Sequence, residues 1–164
     1  HVLKAGDHVV MANTNYPGTA EFARDTLGRY GVDVTPVNTN NLDNVREAMR
    51  PETRLIWLET PSNPLLRIAD IGAASKIAKQ HDALLAVDST FATPILQRPL
   101  DLGAAMVLHS ATKFLGGQTA AIGPPMIQVV AVFCGVGYEF KLSRGFLSMS
   151  AFFHLLAQAL VCFF

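Results

Sequence analysis

Apolar and polar positions along the first 123 residues alternate between two periods. Short, nearly continuous apolar runs stand at His8-Val-Val-Met-Ala12, Leu55-Ile-Trp-Leu58, Ala83-Leu-Leu-Ala-Val87 and Met106-Val-Leu108, and Val32 to Val37 alternates as a strand does. Between them lie segments of helical period. Gly18 to Tyr30 places Phe22, Ala23, Thr26, Leu27 and Tyr30 on one face, with Gly31 as the stop. Asn41 to Arg50 reads as a helix capped by Asn41 and stopped by Pro51. Asp70 caps a further helix running to about Gln80, with Ile71, Ala74, Ile77 and Ala78 facing inward.

Apolar strands alternating with helices predict an α/β fold: a mostly parallel sheet with helices on both faces. Ligands bind such sheets beyond the C-terminal ends of the strands. Glu59, Asp88 and the segment from Ser110 to Lys113 are all predicted to lie at that edge.

The pattern changes after Gly123. Residues 125–164 carry three charged side chains, Glu139, Lys141 and Arg144, with eight of the fourteen aromatics and both cysteines, and no period there continues the α/β alternation. The division is therefore 1–123, one domain, and 124–164, an atypical apolar tail. Leu147 to Phe164 is 18 residues long, near the lower limit of the ~17–25 that cross a bilayer, and Ser148, Ser150, His154 and Gln158 weaken a membrane reading. A divergent ending and a shifted frame or truncated gene are the other two readings, and the abruptness of the change favours the last.

Composition excludes some classes. Thirteen basic and thirteen acidic residues balance, so charge offers nothing to nucleic acid or to an anionic membrane. Cys134 and Cys162 form no metal-ligand pattern, and no metal site is expected. The start has no secretory signal pattern, which fits a cytoplasmic location, and without an initiator Met it reads as the interior of a longer protein.

Four features carry candidate chemistry. Lys113 follows a strand, between Ser110-Ala-Thr112 and a glycine pair, Gly116-Gly117. It fits a Schiff-base lysine, whose amine partial burial would help deprotonate, and it fits a surface loop lysine. Asp88 ends an apolar strand, where a carboxylate needs a partner or solvent; it fits a ligand to a ring nitrogen and a helix cap. Asn63, in the rigid turn Thr60-Pro-Ser-Asn-Pro64, fits a cofactor or substrate contact and a self-bonded turn. Tyr16, in the turn Asn15-Tyr-Pro-Gly-Thr19, fits a ring stacked on a planar cofactor and a packed side chain.

Taken together and in order, these segments resemble one family. Gly6-Asp-His-Val-Val10, Tyr16-x-Gly-Thr19, Pro51-x-Thr-x-Leu-x-Trp-x-Glu-Thr-Pro-Ser-Asn-Pro64, Val87-Asp-x-Thr-Phe-Ala-Thr-Pro94, Gln97-Arg-Pro-Leu-x-x-Gly103 and His109-Ser-Ala-Thr-Lys-Phe-Leu-Gly-Gly117 are similar to the central part of the pyridoxal 5'-phosphate (PLP) enzymes of cysteine and methionine metabolism. That family includes cystathionine gamma-synthase, cystathionine gamma-lyase and methionine gamma-lyase. The resemblance implies a fragment of the large domain of PLP fold type I, the aspartate aminotransferase-like fold. It implies gamma-elimination or gamma-replacement on a small sulfur amino acid or activated homoserine, in the homotetramers (dimers of dimers) that the family forms. It also implies roles. Lys113 carries PLP and moves protons; Asp88 pairs with the pyridine nitrogen; Tyr16 stacks on the ring and assists catalysis. Ser110 and Thr112 bind phosphate, Thr90 packs on the ring, Asn63 meets the 3-oxygen and substrate carboxylate, and Glu59 lines the site loosely.

The chain departs from the family at Pro17, Ser89 and Gln118. The family's N-terminal phosphate contact and the C-terminal arginine for the substrate carboxylate have no counterpart in these residues, and nothing assigns Arg144 that role. A catalytically inert truncated fragment is therefore the alternative reading.

Overall fold

The computed structural model describes residues 2–110, 113 and 114, and the backbone of 130–134. Six strands form one sheet in the order β2-β1-β3-β4-β5-β6. They are β1 (His8–Ala12), β2 (Asp33–Val37), β3 (Thr53–Glu59), β4 (Leu84–Asp88), β5 (Met106–Ser110) and β6 (Val130–Cys134). The first five run parallel. β6 lies antiparallel to β5, a strand that the reading of the tail did not anticipate. The membrane reading of Leu147 to Phe164 lies outside the described residues, as do Thr112, Gln118 and Arg144. Among the described residues no helix is long and apolar enough to cross a membrane.

The strand period sorts the core into two layers. Val9 and Met11, Leu55 and Trp57, Ala86, and Met106 and Leu108 point to one face and pack with Phe22, Ala23 and Leu27. Val10, Ile56, Leu58, Leu85 and Val87 point to the other and pack with Val45, Ile71, Ala74, Ile77 and Ala78. Helix α1 (Pro17–Asp25) thus covers one face, while α2 (Leu42–Ala48) and α3 (Ile71–Gln80) cover the other. Because each side chain of a strand alternates faces, both layers must be apolar, which is why these strands read as continuous apolar runs. β2 is the exception: it is half-exposed and contains Pro36, as an edge strand tolerates.

Local chemistry sets the helix starts. The Asn41 side chain accepts from the Asp43 N–H at 3.0 Å, and that of Asp70 from the Ala73 N–H at 2.9 Å, satisfying donors that the helix leaves open. The first helix differs from expectation. It stops at Asp25, and the chain tightens into a 3-10 turn from Leu27 to Tyr30 before Gly31 at φ 73°. The tighter turn advances each residue further around the axis, so Leu27 stays buried while Tyr30, expected inside, is exposed.

Candidate functional site

Three of the parallel strands end in a polar residue: Glu59 on β3, Asp88 on β4 and Ser110 on β5. By strand parity all three share the face covered by α1, since Leu55, Trp57, Ala86, Met106 and Leu108 belong to that layer. Glu59 and Asp88 are register partners, and Asp88 is in turn paired with Leu108.

Asp88 is buried. Burial pushes its carboxyl above the usual range, against the opposing effect of hydrogen bonds from Thr90. Its Oδ1 accepts the Thr90 N–H at 2.9 Å, and Thr90 Oγ1 accepts the Ser110 N–H at 2.9 Å. One threonine therefore ties the end of β4 to the end of β5. Asp88 does not cap α4 (Thr93–Leu96), which starts after Ala92. No ion pair involves Asp88 among the described residues.

Glu59 is also buried, and its carboxyl is raised to about 7. Burial is the main cause, and the neighbouring Asp88 charge adds to it. The Glu59 Oε2 accepts the Tyr16 N–H at 2.6 Å, and its Oε1 accepts the Asn63 N–H at 2.7 Å. These bonds bring together the turns after β1 and β3, with Tyr16 and Asn63 both half-buried at the edge. Gln97 adds a second tie: its amide donates to the Thr60 carbonyl at 2.8 Å and to Ser89 Oγ at 2.9 Å. The central placement of Glu59 and the bridge made by Gln97 went beyond the sequence reading. An acid closing an apolar strand was the available signal for Glu59; for Gln97 it was membership in the Gln97-Arg-Pro motif.

Lys113 is exposed and lies past the end of β5. The next residue, Phe114, sets its ring 6.1 Å from that of Phe91, tilted by 50°. The lysine segment therefore lies against the segment that follows Asp88. Tyr16, Asn63, Asp88, Thr90 and Ser110 are thus gathered at one edge, with Lys113 beside it.

The chemistry of these groups fits a flat heteroaromatic cofactor. A buried carboxyl with no cation beside it among the described residues matches a ring nitrogen bearing a proton, and a primary amine past the end of the neighbouring strand matches an aldehyde. Fold and edge together define a doubly wound α/β domain with its ligand edge at the strand C-termini.

Comparison with known proteins narrows that class. The model of the Cys/Met metabolism PLP-dependent enzyme family matches residues 1–131, and the chain belongs to that family. L-methionine gamma-lyase of Treponema denticola is 51% identical over 119 residues, covering 71% of this chain and 30% of that protein. Cystathionine gamma-synthase of Mycobacterium leprae is 46% identical over 126 residues, covering 77% of this chain and 32% of that protein. Cystathionine beta-lyase of Lactococcus lactis is 49% identical over 121 residues, or 74% and 32%. A crystal structure of cystathionine gamma-lyase from Lactobacillus plantarum, complexed with L-serine, superposes with a TM-score of 0.71 at 47% identity, covering 73% of this chain and 32% of that one. The chain spans about a third of the length of the curated relatives it matches.

Proposed function

We propose that this chain supplies the cofactor-holding centre of a PLP-dependent lyase or transferase that performs gamma-elimination or gamma-replacement on a sulfur amino acid or activated homoserine. The observation that carries the reading is Asp88: a buried acid, raised by desolvation, at the end of a central parallel strand, with no cation beside it among the described residues. PLP, when bound, supplies an electron sink for the bond broken next to the substrate amine. Asp88 would hold the protonated pyridine nitrogen, Tyr16 would stack on the ring, and Ser110 with Thr112 would bind the phosphate. Thr90, which bonds Asp88 and Ser110 together, ties these two groups and would pack beside the ring. Asn63 would meet the 3-oxygen and the substrate carboxylate. Lys113 would carry the cofactor, and once displaced by the substrate amine its free amine would take and return protons at the substrate carbons.

Three relatives with three reaction names, one of them a beta-lyase, at 46–51% identity, support the PLP-dependent lyase and synthase class rather than one member of it. For the whole protein we propose a homotetramer in the cytoplasm. The exposed Leu65, Leu66, Ile68, Ile95 and Leu96 are apolar side chains that an assembly would cover.

The test is covalent. The chain is mixed with PLP, reduced with borohydride and mapped by peptide. The expected result is one label on Lys113, lost in Lys113→Ala. A folded chain with no label, or with label spread over Lys4, Lys76, Lys79 and Lys141, overturns the reading in favour of an inert fragment.

A further inference from the structure

We infer that Glu59 is a positioning residue of the cofactor site, because its two carboxylate oxygens hold the backbone N–H groups of Tyr16 and Asn63 and so set where both side chains begin relative to Asp88. The inference rests on the proposed PLP reading. Its geometry comes from residues far apart in sequence. Tyr16 precedes α1, and its N–H lies outside the helix ladder and reaches Glu59 Oε2 at 2.6 Å. Asn63 lies between two prolines, and its N–H reaches Glu59 Oε1 at 2.7 Å. Each oxygen thus has its own turn to hold. The register pairing of Glu59 with Asp88 anchors both turns to the strand that ends in the proposed pyridine ligand.

The cost of this arrangement argues that it serves the site. A carboxylate buried beside a second buried carboxylate opposes folding, and two turns are joined more cheaply by a neutral group. Arrangements that lower stability persist where a site needs fixed geometry. Once ionised, above about pH 7, the Glu59 carboxylate offers two strong acceptors side by side; an amide offers one acceptor and one donor.

Glu59→Gln tests this. The variant keeps one acceptor and turns an NH2 toward the other N–H. Its urea midpoint at neutral pH, read from the fluorescence of the lone Trp57, is expected to equal or exceed that of the parent. Amide exchange at Tyr16 or Asn63 is expected to quicken roughly tenfold, as the loss of one buried hydrogen bond implies, with the β3 and β4 amides unchanged. The dissociation constant for PLP, read from quenching of Trp57, is expected to rise by about the same factor. Unchanged exchange at both residues overturns the brace. Faster exchange with unchanged PLP affinity makes Glu59 a structural tie and also overturns the proposal, as does an affinity loss that follows a lowered urea midpoint. A parent chain that takes up no PLP sinks the functional reading itself, a result distinct from these.

Discussion

Glu59 and Asp88 end adjacent parallel strands as register partners, two buried carboxyls on one face of the sheet. Both are held above their ordinary range, chiefly by desolvation. The pair sits where the turns carrying Tyr16, Asn63 and Thr90 meet, so the electrostatics of the edge and its geometry depend on the same two groups.

That placement gives a signed pH dependence. The Glu59 carboxyl rises from an ordinary 4.5 to about 7 on folding. Between those values the folded chain keeps a proton that the unfolded chain has released, so stability falls as pH climbs through the window and levels off above it. The Glu59 contribution is on the order of 3 kcal/mol. Urea unfolding of the parent and Glu59→Gln across this range checks it: the difference between them should slope in this sense. A parallel pair of curves would show that Glu59 is not desolvated as described.

His8, at the opposite end of β1, has the opposite sign. Its ring bridges Thr53 Oγ1 and Thr35 Oγ1, each at 2.8 Å. Burial and the Arg50 charge hold it below its ordinary value of 6.5, with Asp33 and Glu52 partly opposing. Stability from this residue is lost as pH falls through and below 6.5, because the unfolded chain then binds a proton that the folded chain refuses. Ring-proton NMR should show His8 still neutral just below pH 6.5, where an unperturbed imidazole has begun to charge.

Gly103 has a φ of 94°, and a Cβ there would lie 2.5 Å from Ser75 Oγ, the hydroxyl that donates to the Gly103 carbonyl at 2.7 Å. Gly103→Ala therefore meets strain and a clash together, and is expected to lose more than about 1 kcal/mol by urea unfolding. Gly28→Ala, with ordinary φ and open space around the new carbon, is the control and should be neutral or slightly stabilising.

The cap of α3 is tested by Asp70→Ala. Loss of the acceptor for the Ala73 N–H should cost about 1 kcal/mol. Amide exchange in the first turn of α3 should quicken by more than in its last turn. Uniform change along the helix would place the effect elsewhere.

Five strands, three helices and both side-chain caps were legible in the sequence, because a strand buried on both faces needs an unbroken apolar run and a capped helix needs its oxygen at one position. The division of the core into an α1 layer and an α2–α3 layer follows from strand parity. Tyr30 was misplaced because periodicity assumes one helical pitch, and the chain changes pitch after Thr26. β6 was missed although Val130-Ala-Val-Phe-Cys134 is an apolar run like the other strands, because no helical period in residues 125–164 extends the α/β alternation around it.

The sequence by itself determined the family: Lys113, Asp88, Tyr16 and Asn63 stand in motifs whose order and spacing identify it. Tertiary structure alone decided how they are held. The ties made by Glu59 and Gln97 end on backbone groups of other segments, and a backbone N–H or carbonyl has no letter in a sequence. Only the folding of β1, β3 and β4 side by side brings those groups within hydrogen-bond reach of one carboxylate and one amide.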